Sequence, residues 1–208
     1  MKNYAEEYFY MIPFGADYPS LDFVNSMTDS FLLYEKFALD ESHVFRFRFE
    51  DPVPRNPKMG DAHGNAQHLI ISDRIKKVLE AMNLKDVQYL PATIEGGKNN
   101  EIFEGYRALH IHNLIRCMDR EKSDFKERDG SIVRIKKLVL DSEALGKIPL
   151  EERLVFALGE KRLFMFFHKS VVEKILAINP EGVKFAPAHK WNSKSLFEAA
   201  YWEYILGD

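Results

Sequence analysis

Ser72-Asp73-Arg74-Ile75-Lys76-Lys77-Val78-Leu79-Glu80, followed shortly by Val87-Gln88-Tyr89-Leu90-Pro91-Ala92, is the stretch that decides the architecture. Ser72 suits an N-cap, Asp73 suits the positive end of a helix, and Ile75, Val78, Leu79 and Met82 recur at helical spacing. A helix is predicted from about residue 73 to 83, and Val87 to Ala92 reads as a short strand ended by Pro91. The same order of events returns about 97 residues later. There Ser170 and Glu173 form an S-x-x-E capping box, Val171, Val172, Ile175, Leu176 and Ile178 make an apolar face, and Pro180-Glu181-Gly182 turns the chain into Val183-Lys184-Phe185-Ala186-Pro187-Ala188. The copies align with a one-residue gap, Lys77-Val78-Leu79 falling on Lys174-Ile175-Leu176 and Val87 to Ala92 on Val183 to Ala188. Two related helix-to-strand units result, by duplication or by chance recurrence; two copies at so long a period exclude a solenoid.

Outward from these units the pattern is mostly strand. Tyr106 to His112, Ile132 to Leu140 and Arg162 to Phe167 alternate. Between the first two, Asp119 to Gly130 mixes acids and bases and closes on Asp129-Gly130, which reads as a solvated hairpin tip or loop. Upstream, Val44-Phe45-Arg46-Phe47-Arg48-Phe49-Glu50 puts three Phe on one face and charges on the other, a half-buried strand. The proline-rich Asp51 to Asp61 ends it as a loop or linker. At the other end Ser195-Leu196-Phe197-Glu198 caps a helix that is apolar almost all round, so it must be buried or meet a partner. The expected fold is α+β: a mixed or antiparallel sheet with the two helix-to-strand units and a C-terminal helix. It forms one domain over residues 1–208, with an acidic, strand-rich part to 59, a middle part over 60–188 that contains the two units, and the last helix over 189–208.

Composition narrows the functional classes. A chain of 208 residues, 46% apolar, buries roughly 70% of its unfolded surface and needs no metal or disulfide to hold a core. Cys117 is the one cysteine, which excludes an internal disulfide, and the opening Met1-Lys2-Asn3-Tyr4-Ala5-Glu6-Glu7 lacks the basic and apolar run of a signal peptide, so a cytoplasmic location is expected. No window has the apolar length of a membrane span. A net charge of −3 argues against a dedicated nucleic-acid binder. Residues 1–66 nevertheless hold 11 acids against 6 bases, whereas the remainder holds 21 against 23.

Few residues suggest chemistry. His110 and His112 share a strand face and could take a metal with Asp119 or His63, but Leu109 and Ile111 claim the core, which puts the histidines on the solvated face, and no His-Glu-x-x-His or Cys-x-x-Cys spacing accompanies them. His63 or His68 could act as a base, yet no nucleophile elbow or Cys-His-Asp signature is present. Gly-x-Gly-x-x-Gly and Gly-Lys-Ser/Thr loops are absent. No cofactor is expected. Arg134, Lys136 and Lys137 read as a solvated edge.

The segments Ile71 to Glu80 with Val87 to Pro91, Asn113-Leu114-Ile115 through Asp119-Arg120-Glu121-Lys122-Ser123, Leu138-Val139-Leu140-Asp141, and Phe167-His168-Lys169-Ser170 to Phe185 together resemble the Imm11 family, over roughly residues 60–188. That family belongs to the immunity proteins of bacterial polymorphic toxin systems. The resemblance implies a cytosolic protein, not an enzyme, that binds a cognate toxin, often one delivered by contact-dependent or type VI secretion, and blocks it by stoichiometric contact. It carries over no catalytic residue. Pro180 departs from the short polar turn usual there, and the N-terminal third matches loosely and is the expected variable, partner-selecting part. Toxins that act on nucleic acid are often basic, so Asp17, Asp22, Asp29, Asp40, Glu41, Glu50 and Asp51 are, as a group, the candidate contact residues, with Tyr201 and Trp202 of the last helix as aromatic anchors. Two other classes stay open: a metal-dependent hydrolase using His110, His112 and Asp119, and a self-associating structural protein whose last helix packs on a second copy.

Overall fold

The computed structural model describes residues 3–13, 17–24, 31–64, 68–96 and 101–191. In chain order come β1 (Tyr8–Pro13), β2 (Leu21–Phe23), β3 (Phe45–Phe49), β4 (Ala62–Gly64), β5 (Leu69–Ser72), α1 (Asp73–Glu80), β6 (Val87–Gly96), β7 (Glu101–Ile111) and β8 (Leu114–Ile115). They are followed by β9 (Asp124–Arg128), β10 (Ser131–Lys137), α2 (Ser142–Gly146), β11 (Val155–Leu158), β12 (Met165–His168), α3 (Lys169–Leu176) and β13 (Val183–Pro187). One sheet has the order β2-β3-β6-β7-β5-β4, a second β13-β1-β12-β11-β8, and β9 pairs with β10 apart from both. The β3–β6 and β8–β11 pairs are parallel, the others antiparallel, so the fold is α+β with mixed sheets. The expected C-terminal helix lies outside the described residues, and no helix among those described is long and apolar enough to cross a membrane.

The two helix-to-strand units are present and match more closely than their sequences suggest. Each is a hairpin, an eight-residue helix and a returning strand, β4-β5-α1-β6 and β11-β12-α3-β13. In each the strands before and after the helix run parallel with one antiparallel strand between them: β7 in the first, β1 in the second. Equivalent positions stand 96 residues apart throughout, without a gap: the N-caps Ser72 and His168, the C-caps Ala81 and Ala177, the left-handed Asn83 and Asn179 (both φ 48°), and the strand starts Val87 and Val183. Asparagine serves at the helix exits because its short polar side chain tolerates positive φ. The gap arose from similar residues one position out of step, Lys77 on Lys174. Ile75 and Leu79 instead correspond to Val171 and Ile175, all four without solvent exposure. The Ser170-Glu173 capping box does not form; the helix begins two residues earlier than a Ser170 cap would set it, and His168 caps it by accepting from Ser170 N.

Proline does not end β6. Pro91 sits within it, paired with Arg107, while β3 joins the other side of β6 only from Ala92 onward. At Pro91 the strand therefore has a neighbour on one side, where a missing N–H costs no ladder bond. Of the segment expected as a solvated hairpin tip or loop at 119–130, Asp129-Gly130 (φ 50° and 75°) does form a hairpin tip, the two-residue turn whose twist suits one, but residues 124–128 form the strand β9.

Three apolar clusters follow from this topology. The central one joins both units, with Ile71, Ile75 and Leu79 meeting Phe167, Val171, Ile175 and Phe185. The alternation in β3 holds as read: Phe45, Phe47 and Phe49 point into a second cluster with Leu90, Ile94 and Tyr106, while Arg46 and Arg48 face solvent. The third packs Tyr8, Tyr10, Phe156 and Phe166 against the β9–β10 hairpin and α2.

A buried carboxylate locks the units together. Asp61, ahead of β4, accepts from Ser72 Oγ (2.6 Å), from Arg74 Nη1 (2.7 Å) and from Glu181 N (2.9 Å) in the turn before β13. Asp61 N donates to Glu181 O (2.7 Å), and Arg74 Nη2 reaches Ile178 O (2.7 Å). One side chain thus joins the N-cap of the first helix to the exit turn of the second.

Candidate functional site

The residues expected to carry chemistry or contact are held in several different places. His110, near the end of β7, and His112, just beyond that strand, do lie side by side with rings stacked 5.1 Å apart, but they are not on a solvated face. His110 is fully buried under residues 31–39, a strap that crosses the sheet without joining its ladder. Side chains hold this strap: His110 Nδ1 and Nε2 lie 3.1 and 3.0 Å from the carbonyl oxygens of Leu33 and Phe37, Gln88 pairs with both N and O of Leu39, and Arg162 donates to Glu35 O (2.7 Å). A nitrogen packed against a carbonyl oxygen leaves no room for a metal at about 2.1 Å. Asp119 is turned elsewhere, accepting from the backbone of Glu121 and Lys122 and from Lys122 Nζ (2.6 Å), and that ammonium holds its carboxyl below the usual carboxylate range. His63 is also committed: its Nε2 accepts from Gly60 N (2.9 Å) and its Nδ1 faces Pro19 O (3.3 Å). Among the described residues no three His, Cys, Asp or Glu side chains converge to hold a metal ion.

A constellation that sequence reasoning missed joins Glu7, His168 and Ser170. His168 Nδ1 lies 2.9 Å from Ser170 Oγ, and Nε2 lies 3.4 Å from Glu7 Oε2, across 161 positions of chain. Its composition is that of a hydrolytic triad, but His168 is 3% exposed and its Nδ1 accepts the N–H that caps α3, so the arrangement fixes a helix start. No local spacing signals it, because β1 brings Glu7 from the far end of the sequence.

The acidic group is dispersed and partly neutralised. Asp17 pairs with Lys58 (3.0 Å), Asp22 with Arg48 (3.8 Å), and Asp40 accepts from Ser42 N and Oγ, which holds its carboxyl low. Glu41, Glu50 and Asp51 are exposed, and no ion pair to them is found among the described residues. Asp29, Tyr201 and Trp202 lie outside the described residues. The most evident apolar side chains left to solvent near the strap are Phe31 and Phe37, 58% and 59% exposed. A cleft runs beneath it between the two sheets, lined by Leu33, Tyr34, His68, Ile111, Arg162 and Met165.

Cys117 is buried in the third cluster, and desolvation pushes its thiol well above the normal range, with Glu160 and Asp141 adding to the rise. A thiolate-directed reagent at pH 8 is expected to leave Cys117 unmodified in the native protein and to label it fully in 6 M guanidinium. Fast stoichiometric labelling of the native protein would contradict this burial.

No curated protein matches this chain. A family profile described as "Immunity protein family (Imm11)" matches residues 19–190, which adds β2 and β3, and with them most of the acidic N-terminal part, to the span over which the resemblance was first apparent. With both helix-to-strand units and every described strand except β1 inside that match, the chain belongs to the Imm11 immunity protein family.

Proposed function

We propose that this protein is a stoichiometric inhibitor that protects the producing bacterium, binding a cognate toxin effector in the cytoplasm and blocking it without turnover. The carrying observation is the family match over residues 19–190. The side chains that resembled catalytic or metal-binding sets have structural partners: His110 holds the strap, His168 caps a helix, and Asp119 braces a turn. In this reading the toxin is a polymorphic effector of the kind exported by type VI or contact-dependent systems.

The test is co-expression with a candidate toxin, taken from any toxin-like reading frame found beside this gene. Survival of the host together with co-purification of a one-to-one complex is the expected result. Death of the host with no complex would refute the immunity reading.

A further inference from the structure

The β9–β10 hairpin takes no part in either large sheet, yet it is firmly seated. Phe125, Ile132 and Ile135 pack into the third cluster, and Lys161 Nζ donates to the carbonyls of Ile132 and Val133 (3.1 and 3.4 Å). Arg120 lies over the Phe125 ring at 4.8 Å and pairs with Glu127. One face is therefore fixed to the body and the other is left to solvent.

That outward face carries Lys126, Arg128 and Arg134, all exposed, and no ion pair to any of them is found among the described residues. Arg134 stands directly opposite Lys126 in the ladder. Like charges at opposed positions destabilise a strand pair, whereas an acid at either position would stabilise it. Of the neighbouring charges, Lys136 is compensated by Asp124 (3.7 Å) and Glu127 by Arg120, while the exposed Lys137 at the far end of β10 has no ion pair among the described residues. A chain of net charge −3 thus groups three uncompensated cations beside Val133, which is 45% exposed. Nothing in the fold requires this arrangement.

We infer that the outer face of the β9–β10 hairpin is a docking surface for the toxin, and that the toxin presents an acidic surface to it. The assignment rests on the immunity reading and names the partner's chemistry. Charge complementarity selects carboxylates. Asp124 and the exposed Asp129 interrupt the positive run at its two ends, which suits a protein epitope and would repel a continuous phosphate backbone. Val133 supplies an apolar contact of the kind a protein interface uses and a phosphate track does not.

The test uses the full chain and the purified, catalytically inactivated toxin domain. Reversal of all three cations (Lys126→Glu, Arg128→Glu, Arg134→Glu) is expected to weaken toxin binding about 100-fold and to flatten its dependence on salt. Charge reversal at Glu41, Glu50 and Asp51 is expected to change affinity by less than about 3-fold. The single variant Lys126→Glu controls for folding, because it creates a cross-strand pair with Arg134: its melting temperature is expected to rise by about 1–3 °C while toxin affinity falls. Full affinity in the triple variant would overturn the hairpin assignment alone. Absence of any complex with the unaltered protein would overturn the immunity reading and this assignment with it, and tight binding of duplex DNA that the triple variant loses, with toxin binding unchanged, would reassign the surface to nucleic acid.

Discussion

Replacing Asp61 with alanine is expected to lower the unfolding free energy by about 3 kcal/mol, near the lower bound for removing one member of a buried ion pair. The side chain is 6% exposed and accepts from three donors, so its loss strands the Ser72 hydroxyl and the Glu181 N–H and leaves the half-exposed Arg74 guanidinium without its anion. Asp61→Asn keeps the shape but turns an NH2 group toward one of those donors, and is expected to cost about half as much. The measurement is urea unfolding at pH 7.5, with the midpoint shifted and the slope unchanged. A loss under about 1 kcal/mol for Asp61→Ala would mean that the two units are held together by apolar packing alone.

Acidification from pH 7.5 to 5.5 is expected to lower the unfolding free energy, chiefly through His63 and His168. Burial pushes both imidazoles below the ordinary histidine value, against the opposing pull of the Pro19 carbonyl on one and Glu7 on the other. Their tautomers explain the resistance: each uses a ring lone pair to accept a backbone N–H, Gly60 for His63 and Ser170 for His168, and a proton there would displace that bond. The unfolded chain takes up protons as pH falls through 6.5 while the folded chain does not, so the stabilisation is present above pH 6.5 and is lost on descent toward the folded values. His112 adds in the same direction, depressed by desolvation and by its stacked neighbour His110. Denaturation curves at the two pH values test this, and His63→Gln is expected to be less stable at pH 7.5 but to show a shallower fall. A flat profile across that range would contradict the assigned tautomers.

Much of the frame was legible because it depends on local period. Ser72 ahead of Ile75 and Leu79, and the alternation of Phe45, Phe47 and Phe49, are patterns that a short window contains and that packing then confirms. What escaped depended on partners far away in sequence. Pro91 reads as a terminator until the late start of β3 leaves one side of β6 open. His110 reads as solvated until the strap from 31–39 covers its face. Ser170 reads as a cap until the helix is seen to start at Lys169. The charge grouping on the surface was least legible, because two of the acids counted along the sequence are paired with Lys58 and Arg48, whereas Lys126 and Arg134 meet only through the hairpin register.

The unequal origin of the middle strands makes two similar halves assemble on different schedules. In the first half β7 follows β6 directly, so residues 62–111 bring all four strands together by short loop closures. In the second the middle strand is β1, whose Phe9 must reach both Phe167 and Pro187, a closure of more than 150 residues. Loop entropy delays such pairing, so during synthesis the earlier half condenses while β1 waits for the last third of the chain to emerge. The late-arriving edges of β12 and β13 are then the surfaces on which misassembly between nascent copies would begin.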